Sequence, residues 1–173
     1  ACVPAHITAA LPLGKPDVIG LNIYNAAPVR MGEAGPEYCR RPTGWPRTAL
    51  GWPVEPESLN WGVRFLYERY NTPLYITENG LSCCDQVFLD GKVHDPQRID
   101  FTARYLACLH HALSQGADVR GYFHWSLLDN YEWHSGYNER FGLVYVDYPT
   151  GTRILKDSAY WYGTLARTGE LNA

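Results

Sequence analysis

Glu78 stands directly after Leu74-Tyr75-Ile76-Thr77, an apolar, strand-forming run that ends in Asn79-Gly80. A carboxylate there falls at the carboxyl end of an expected parallel strand, the end at which α/β barrels carry their active sites. A second cluster, Trp125-Ser126-Leu127-Leu128-Asp129-Asn130-Tyr131-Glu132-Trp133, follows another such run. Its two indoles and Glu132 suit a pyranose. The C–H face of the ring stacks on an indole, and hydroxyls on the rim donate to a carboxylate. Asn22-Ile23-Tyr24 closes a third run, and a tyrosine hydroxyl there can donate to a carboxylate. Taken singly, each feature has an ordinary reading: a solvated Glu, core Trp residues, a buried Tyr satisfied by backbone. Three polar or aromatic groups at three consecutive strand ends point to a shared site.

The elements that must position these groups are readable from period and punctuation. Residues 17–24 form a short apolar run expected to be a buried strand. Residues 25–56 are Pro- and Gly-rich without sustained period and read as a long surface loop. A helix is predicted from Pro56 to Tyr70, with Leu59, Val63, Leu66 and Tyr70 on one stripe. The strand at 74–77 follows, then an irregular loop over 81–95. A second helix is predicted from Pro96, capped by Asp95, with Ile99, Leu106, Leu109 and Leu113 on its inner face and Gly116 as its stop. Val119 to Trp125 is a third strand. Phe141 to Tyr148 alternates and turns at Pro149-Thr150-Gly151 towards Arg153-Ile154-Leu155, a hairpin, and a last helix runs from Asp157 to Arg167. Strands alternating with helices imply an α/β fold with a parallel sheet and right-handed crossovers. Three buried strands leave long unpaired edges, so the chain makes either a small open sheet or part of a larger α/β barrel.

Composition excludes several alternatives. The 173 residues carry 15 basic and 18 acidic side chains, a formal charge of −3, which argues against a nucleic-acid surface. No run approaches the roughly 20 apolar residues that cross a bilayer. The five cysteines, Cys2, Cys39, Cys83, Cys84 and Cys108, have no C-x-x-C or His/Cys ligand spacing. They are expected to be free thiols in a reducing compartment, which places the protein in the cytoplasm. Ala1-Cys2-Val3-Pro4 has neither Met nor a basic segment and does not read as a signal peptide. The histidines lack ligand spacing, and neither metal nor organic cofactor is expected.

These segments resemble glycoside hydrolase family 1, the β-glucosidase and β-galactosidase family. The resemblance rests on Asp17-Val-Ile-Gly-Leu-Asn-Ile-Tyr24, Tyr75-Ile-Thr-Glu-Asn-Gly80, and Gly121-Tyr-Phe-His-Trp-Ser-Leu-Leu-Asp-Asn-Tyr-Glu-Trp133. It extends through Arg140-Phe-Gly-Leu-Val-Tyr-Val-Asp-Tyr148 and Lys156-Asp-Ser-Ala-Tyr-Trp-Tyr162, covering about residues 17–165 with all motifs in the family's order. It implies that residues 1–173 are one partial domain, about the last three βα units of a (β/α)8 TIM barrel. It also implies hydrolysis of β-glycosides with retention, without a cofactor. By the same resemblance Glu78 matches the catalytic nucleophile and Tyr24 the tyrosine that hydrogen-bonds it. Trp125 matches the platform beneath the sugar, Glu132 the acceptor for its 4- and 6-hydroxyls and Trp133 a donor to the 3-hydroxyl. Phe141 matches an aromatic near the 6-hydroxyl pocket, and Asn22 is placed with the substrate-binding set. The Glu132-Trp133 pair departs from the Ser- and Lys-containing set of phospho-β-glycosidases. It therefore implies unphosphorylated glucosides, extending to galactosides and fucosides.

The family's acid/base motif, Thr-Phe-Asn-Glu-Pro-like, is absent from these residues. So are the early-barrel Gln, His and Asn that hold the sugar and the Arg beside the nucleophile. The chain alone is therefore expected to be inactive and aggregation-prone, requiring the amino-terminal half of the barrel. A sugar-binding pseudoenzyme of the same fold, or a thioglucosidase in which Gln replaces the acid/base, is the alternative. One upstream motif separates them: Asn-Glu-Pro, Asn-Gln-Pro or neither.

Overall fold

The computed structural model of the protein describes residues 14–171. In chain order its elements are β1 (Ile19–Asn22), β2 (Val29–Gly32), β3 (Gly35–Tyr38), α1 (Ser58–Tyr70), β4 (Leu74–Asn79), α2 (Pro96–Ser114), β5 (Val119–His124), β6 (Val144–Val146), β7 (Arg153–Leu155) and α3 (Asp157–Thr168). The central sheet is parallel, in the order β1-β4-β5. Register pairs Asn22 with Glu78 and Asn79 with His124, so the three motif-bearing strand ends lie side by side.

Alternation along the strands decides which face is covered. Leu21, Leu74 and Ile76 are buried against Leu59 and Val63 of α1 and Phe101, Tyr105, Leu109 and Ala112 of α2. The Phe101 and Tyr105 rings stack at 3.9 Å. The opposite face carries Asn22, Thr77 and the exposed Phe123. Among the described residues β1 and β5 are the sheet's edges, and Trp61 and Phe65 of α1 are exposed.

Helix α1 begins two residues after the expected Pro56 and ends at Asn71, which takes the left-handed conformation (φ 45°) and returns its N–H to Tyr67 O. Leu59 and Val63 are buried as the stripe predicts, whereas Tyr70 at the helix end is exposed. Helix α2 departs from expectation in two respects. Its buried stripe is Arg98, Phe101, Thr102, Tyr105, Leu109 and Ala112, so the helix is rotated from the Ile99–Leu113 face, and Leu113 is exposed. A buried arginine on the inner face has no apolar signature, which is why the period misplaces the stripe. Asp95 also does not cap α2 with its side chain. Its carboxylate instead accepts from Ser158 N–H (2.9 Å) and Ser158 Oγ (2.6 Å), holding the first turn of α3.

The loop over 25–56 is less irregular than its composition predicts. It contains the antiparallel hairpin β2–β3, with Val29 opposite Tyr38 and Arg30 opposite Glu37. The β6–β7 hairpin forms as expected, but pairing starts at Val144, because Phe141 and Leu143 bond instead to Ser126. Cys39, Cys83, Cys84 and Cys108 are free thiols, and Cys2 lies outside the described residues. No helix is long and apolar enough to cross a membrane among the described residues.

Candidate active site

Asn79, fully buried, ties the three strand ends together. Its Nδ2 donates to Ile23 O (2.8 Å), its Oδ1 accepts from Tyr122 OH (2.8 Å), and its carbonyl accepts from Trp125 N–H (2.8 Å). Ile23 N–H returns to Glu78 O (3.0 Å). From below, Tyr105 OH of α2 donates to Tyr24 O (2.9 Å) and accepts from Glu55 N–H (2.7 Å). These bonds aim Tyr24, Glu78 and Trp125 at one space. Gly80 is required by the same closeness, since a Cβ on it would lie 1.9 Å from Trp125 O.

Tyr24 OH donates to Glu78 Oε2 at 2.5 Å, although the residues lie 54 positions apart. Burial, then the bond and charge of Glu78, raise the Tyr24 hydroxyl well above the usual tyrosine range. The phenol therefore stays protonated and remains a donor. The Tyr24 ring is itself held by Trp52 (5.1 Å) and Phe141 (6.4 Å).

A pocket of about 540 Å³ opens over this pair, lined by Tyr24, Leu50, Trp52, Glu78, Trp125, Glu132, Trp133, His134 and Ser135. Burial raises the Glu132 carboxyl above its ordinary value, and the charges of Glu139 and Glu78 add to that, while a hydrogen bond from Trp125 opposes it. Trp133 is exposed at the pocket mouth and holds a left-handed backbone (φ 44°), which is uncommon for a bulky side chain. A larger apolar depression of about 650 Å³ lies between the loop after β1 and α1, but Tyr24, Glu78, Trp125, Glu132 and Trp133 are not among its lining residues. Chemistry, not size, places the site at the smaller one.

Of the residues expected from sequence, Glu78, Tyr24, Trp125, Glu132 and Trp133 share the pocket. Phe141 and Asn22 do not line it. Phe141 is buried behind Tyr24 and Trp52, and the Asn22 side chain accepts from Thr77 Oγ1 (2.7 Å) on the opposite face of the sheet from the core. Trp52 was not readable as a site residue. The only local signal is an aromatic set between Gly51 and Pro53 in the long loop. His134 has only its place beside Trp133 as a signal, and Leu50 and Ser135 have none. No group of three or more His, Cys, Asp or Glu positioned for a metal ion occurs among the described residues.

A carboxylate and its tyrosine donor at adjacent strand ends, beside two indoles, form an α/β site whose shape and chemistry suit a sugar ring. Residues 8–171 match the sequence model of glycosyl hydrolase family 1. The chain is 44% identical over 161 residues to beta-glucosidase A of Thermotoga maritima, covering 91% of this chain and 36% of that protein. It is 42% identical over 166 residues to a bifunctional beta-D-glucosidase/beta-D-fucosidase of Bifidobacterium breve, covering 84% of this chain and 36% of the relative. Among solved structures, the Thermotoga maritima beta-glucosidase in complex with castanospermine superposes with a TM-score of 0.87 at 40% identity, over 99% of this chain and 39% of that one. The family 1 β-glucosidase of the same organism with isofagomine lactam gives 0.82 at 43%, over 90% of this chain and 35% of that one. The chain belongs to glycosyl hydrolase family 1, and its fold is part of that family's (β/α)8 barrel. It spans little more than a third of the length of these relatives.

Proposed function

We propose that these residues form the nucleophile-bearing part of a retaining β-glycosidase that acts on unphosphorylated β-glucosides, extending to galactosides and fucosides. The Tyr24–Glu78 bond carries the reading, because it presents a buried-side carboxylate oxygen, oriented by a neutral donor, to the floor of an aromatic pocket. In the first displacement a Glu78 oxygen bonds to the anomeric carbon as the bond to the leaving group breaks. In the second, water adds to that carbon, the ester bond to Glu78 breaks, and the configuration is restored; the general acid/base gives a proton to the leaving oxygen in the first step and takes one back from the water in the second. Trp125 and Trp52 offer faces for the ring, and Glu132 accepts from its 4- and 6-hydroxyls. A sugar phosphate at the 6-position would meet the Glu132 carboxylate and be repelled.

The general acid/base belongs to residues beyond these 173, as does the remainder of the sugar cradle. The short coverage of the relatives and the exposed Trp61, Phe65 and Phe123 support that reading. Residues 1–173 by themselves should show no turnover of 4-nitrophenyl β-glucoside. The four free thiols among the described residues, with Cys83 and Cys84 adjacent, support a cytoplasmic location.

The test is covalent trapping. The complete gene product is incubated with a 2-deoxy-2-fluoroglucoside carrying a good leaving group, digested and analysed by mass. A label on the peptide containing Glu78 is the expected result. A label on any other peptide overturns the assignment. A folded protein that binds glucose but never labels would identify the pseudoenzyme instead. Turnover confined to S-glycosides would identify a thioglucosidase.

A further inference from the structure

Behind the pocket lies a chain of buried charges that the displacement chemistry does not use. Asp85, Asp95, Arg98, Asp129 and Lys156 have no exposed side-chain surface, and Arg140 has little. Three carboxylates face three cations. Lys156 Nζ bridges Asp85 Oδ2 (2.5 Å) and Asp129 Oδ1 (2.8 Å). Arg98 joins Asp85 (2.7 Å), Asp95 and the carbonyl of Arg140 (2.9 Å). Arg140 Nη1 donates to Asp129 Oδ2 (2.7 Å). The cluster connects the loop after β4, the first turns of α2 and α3, and the loop after β5.

Burying six charges gives little net stability compared with an apolar packing of the same space. What such a network supplies is position. Asp129 lies between Trp125 and Glu132 in the segment that follows β5. Neighbouring side chains bond within that segment: Ser126 Oγ donates to Leu128 O (2.8 Å), and Asn130 Nδ2 donates to Ser126 Oγ (3.0 Å). Asp129 bonds out of it, accepting from Lys156, Arg140 and Gly142 N–H (2.9 Å).

We propose that Asp129 is a positioning residue for sugar recognition, fixing Glu132 and Trp125 relative to Glu78 by anchoring their segment to Lys156 and Arg140. The inference rests on the reading of Glu132 as acceptor of the 6-hydroxyl. Asp129→Asn keeps the shape but turns an NH2 group towards a cation and leaves one positive charge unpaired. Arg140→Lys keeps the charge and loses the planar fork.

The experiment uses the complete gene product and the ratio of kcat/KM for 4-nitrophenyl β-glucoside to that for the β-xyloside, which lacks the hydroxymethyl group. Displacement of Glu132 should lower this ratio about tenfold in Asp129→Asn, and by a smaller factor in the same direction in Arg140→Lys. Equal losses on both substrates, or none, overturn the proposal. If Asp129→Asn does not fold, the ratio in Arg140→Lys decides by the same criterion. Glu132→Leu, which removes both acceptor oxygens, separates the two readings. If it leaves the ratio unchanged, the acceptor role falls and this inference falls with it. If it collapses the ratio and Asp129→Asn does not, the positioning role alone is refuted.

Discussion

Tyr24→Phe removes one oxygen and leaves the ring in place against Trp52 (5.1 Å) and Phe141 (6.4 Å). The perturbation is therefore the loss of a single hydrogen bond, 2.5 Å long, to Glu78. Bonds of this kind to a charged acceptor contribute about 1.5–3 kcal/mol, which corresponds to roughly 10- to 150-fold in rate. The loss is not shared equally between the two displacements. In the first, the carboxylate gives up charge to the anomeric carbon and the bond weakens on the way. In the second, Glu78 leaves as a carboxylate, and the hydroxyl stabilises the charge as it reappears. Tyr24→Phe should thus slow hydrolysis of the glycosyl–Glu78 ester more than its formation. Stopped-flow measurement with 2,4-dinitrophenyl β-glucoside on the complete gene product would show a fast burst of phenolate followed by a slow steady state. The thermal midpoint should fall by no more than several degrees, because packing is preserved and a single hydrogen bond is lost. A change in kcat of less than about threefold, or a loss confined to the burst, would refute the role given to this bond.

Three further outcomes are expected. Asn79→Ala leaves Ile23 O and Tyr122 OH without their partner in the core; at about 1–3 kcal/mol for each stranded group, urea unfolding should show a loss of several kcal/mol, and activity should fall because the side-chain ties from β4 to its two neighbours go, although the main-chain bond from Trp125 N–H stays. Arg98→Met leaves Asp95 with no cation and Asp85 with Lys156 alone, among groups with no exposed side-chain surface; destabilisation of about 3–5 kcal/mol is expected, and a loss below about 1 kcal/mol would show that Lys156 and the Ser158 bonds to Asp95 suffice. Burial, reinforced by Arg98 and Lys156, holds the His124 imidazole down at about 3 from the ordinary 6.5. The unfolded chain takes up that proton first as pH falls, so stability is present above pH 6.5 and is lost towards about 3 at up to about 1.4 kcal/mol per pH unit. In His124→Phe that contribution to acid unfolding should disappear, and an unchanged pH slope would count against it.

Much of this architecture was legible in the sequence because it is local. The strand ending at Glu78, the Pro96 start of α2, the turn at Pro149-Thr150-Gly151 and the break after Tyr70 all follow from side-chain period and backbone punctuation within a few residues. The motif segments were legible for the same reason, each being contiguous. The hairpin at Val29–Tyr38 has no clear sequence signature, because Pro and Gly dominate its surroundings and its strands, Val29–Gly32 and Gly35–Tyr38, are too short to show a clear alternation.

The sequence by itself determined which residue types stand at three strand ends, and hence that a carboxylate, a phenol and two indoles would converge. Only the tertiary structure decided which partner each one meets. Asp95 precedes α2 yet holds α3, Trp52 comes from a loop whose sequence has no period yet lines the pocket with Glu78, and Arg98 turns a helix away from its apolar period to reach Asp85 and Asp95. The physical reason is that hydrogen bonds and ion pairs between distant segments depend on position in space. No period of two or 3.6 residues carries that information.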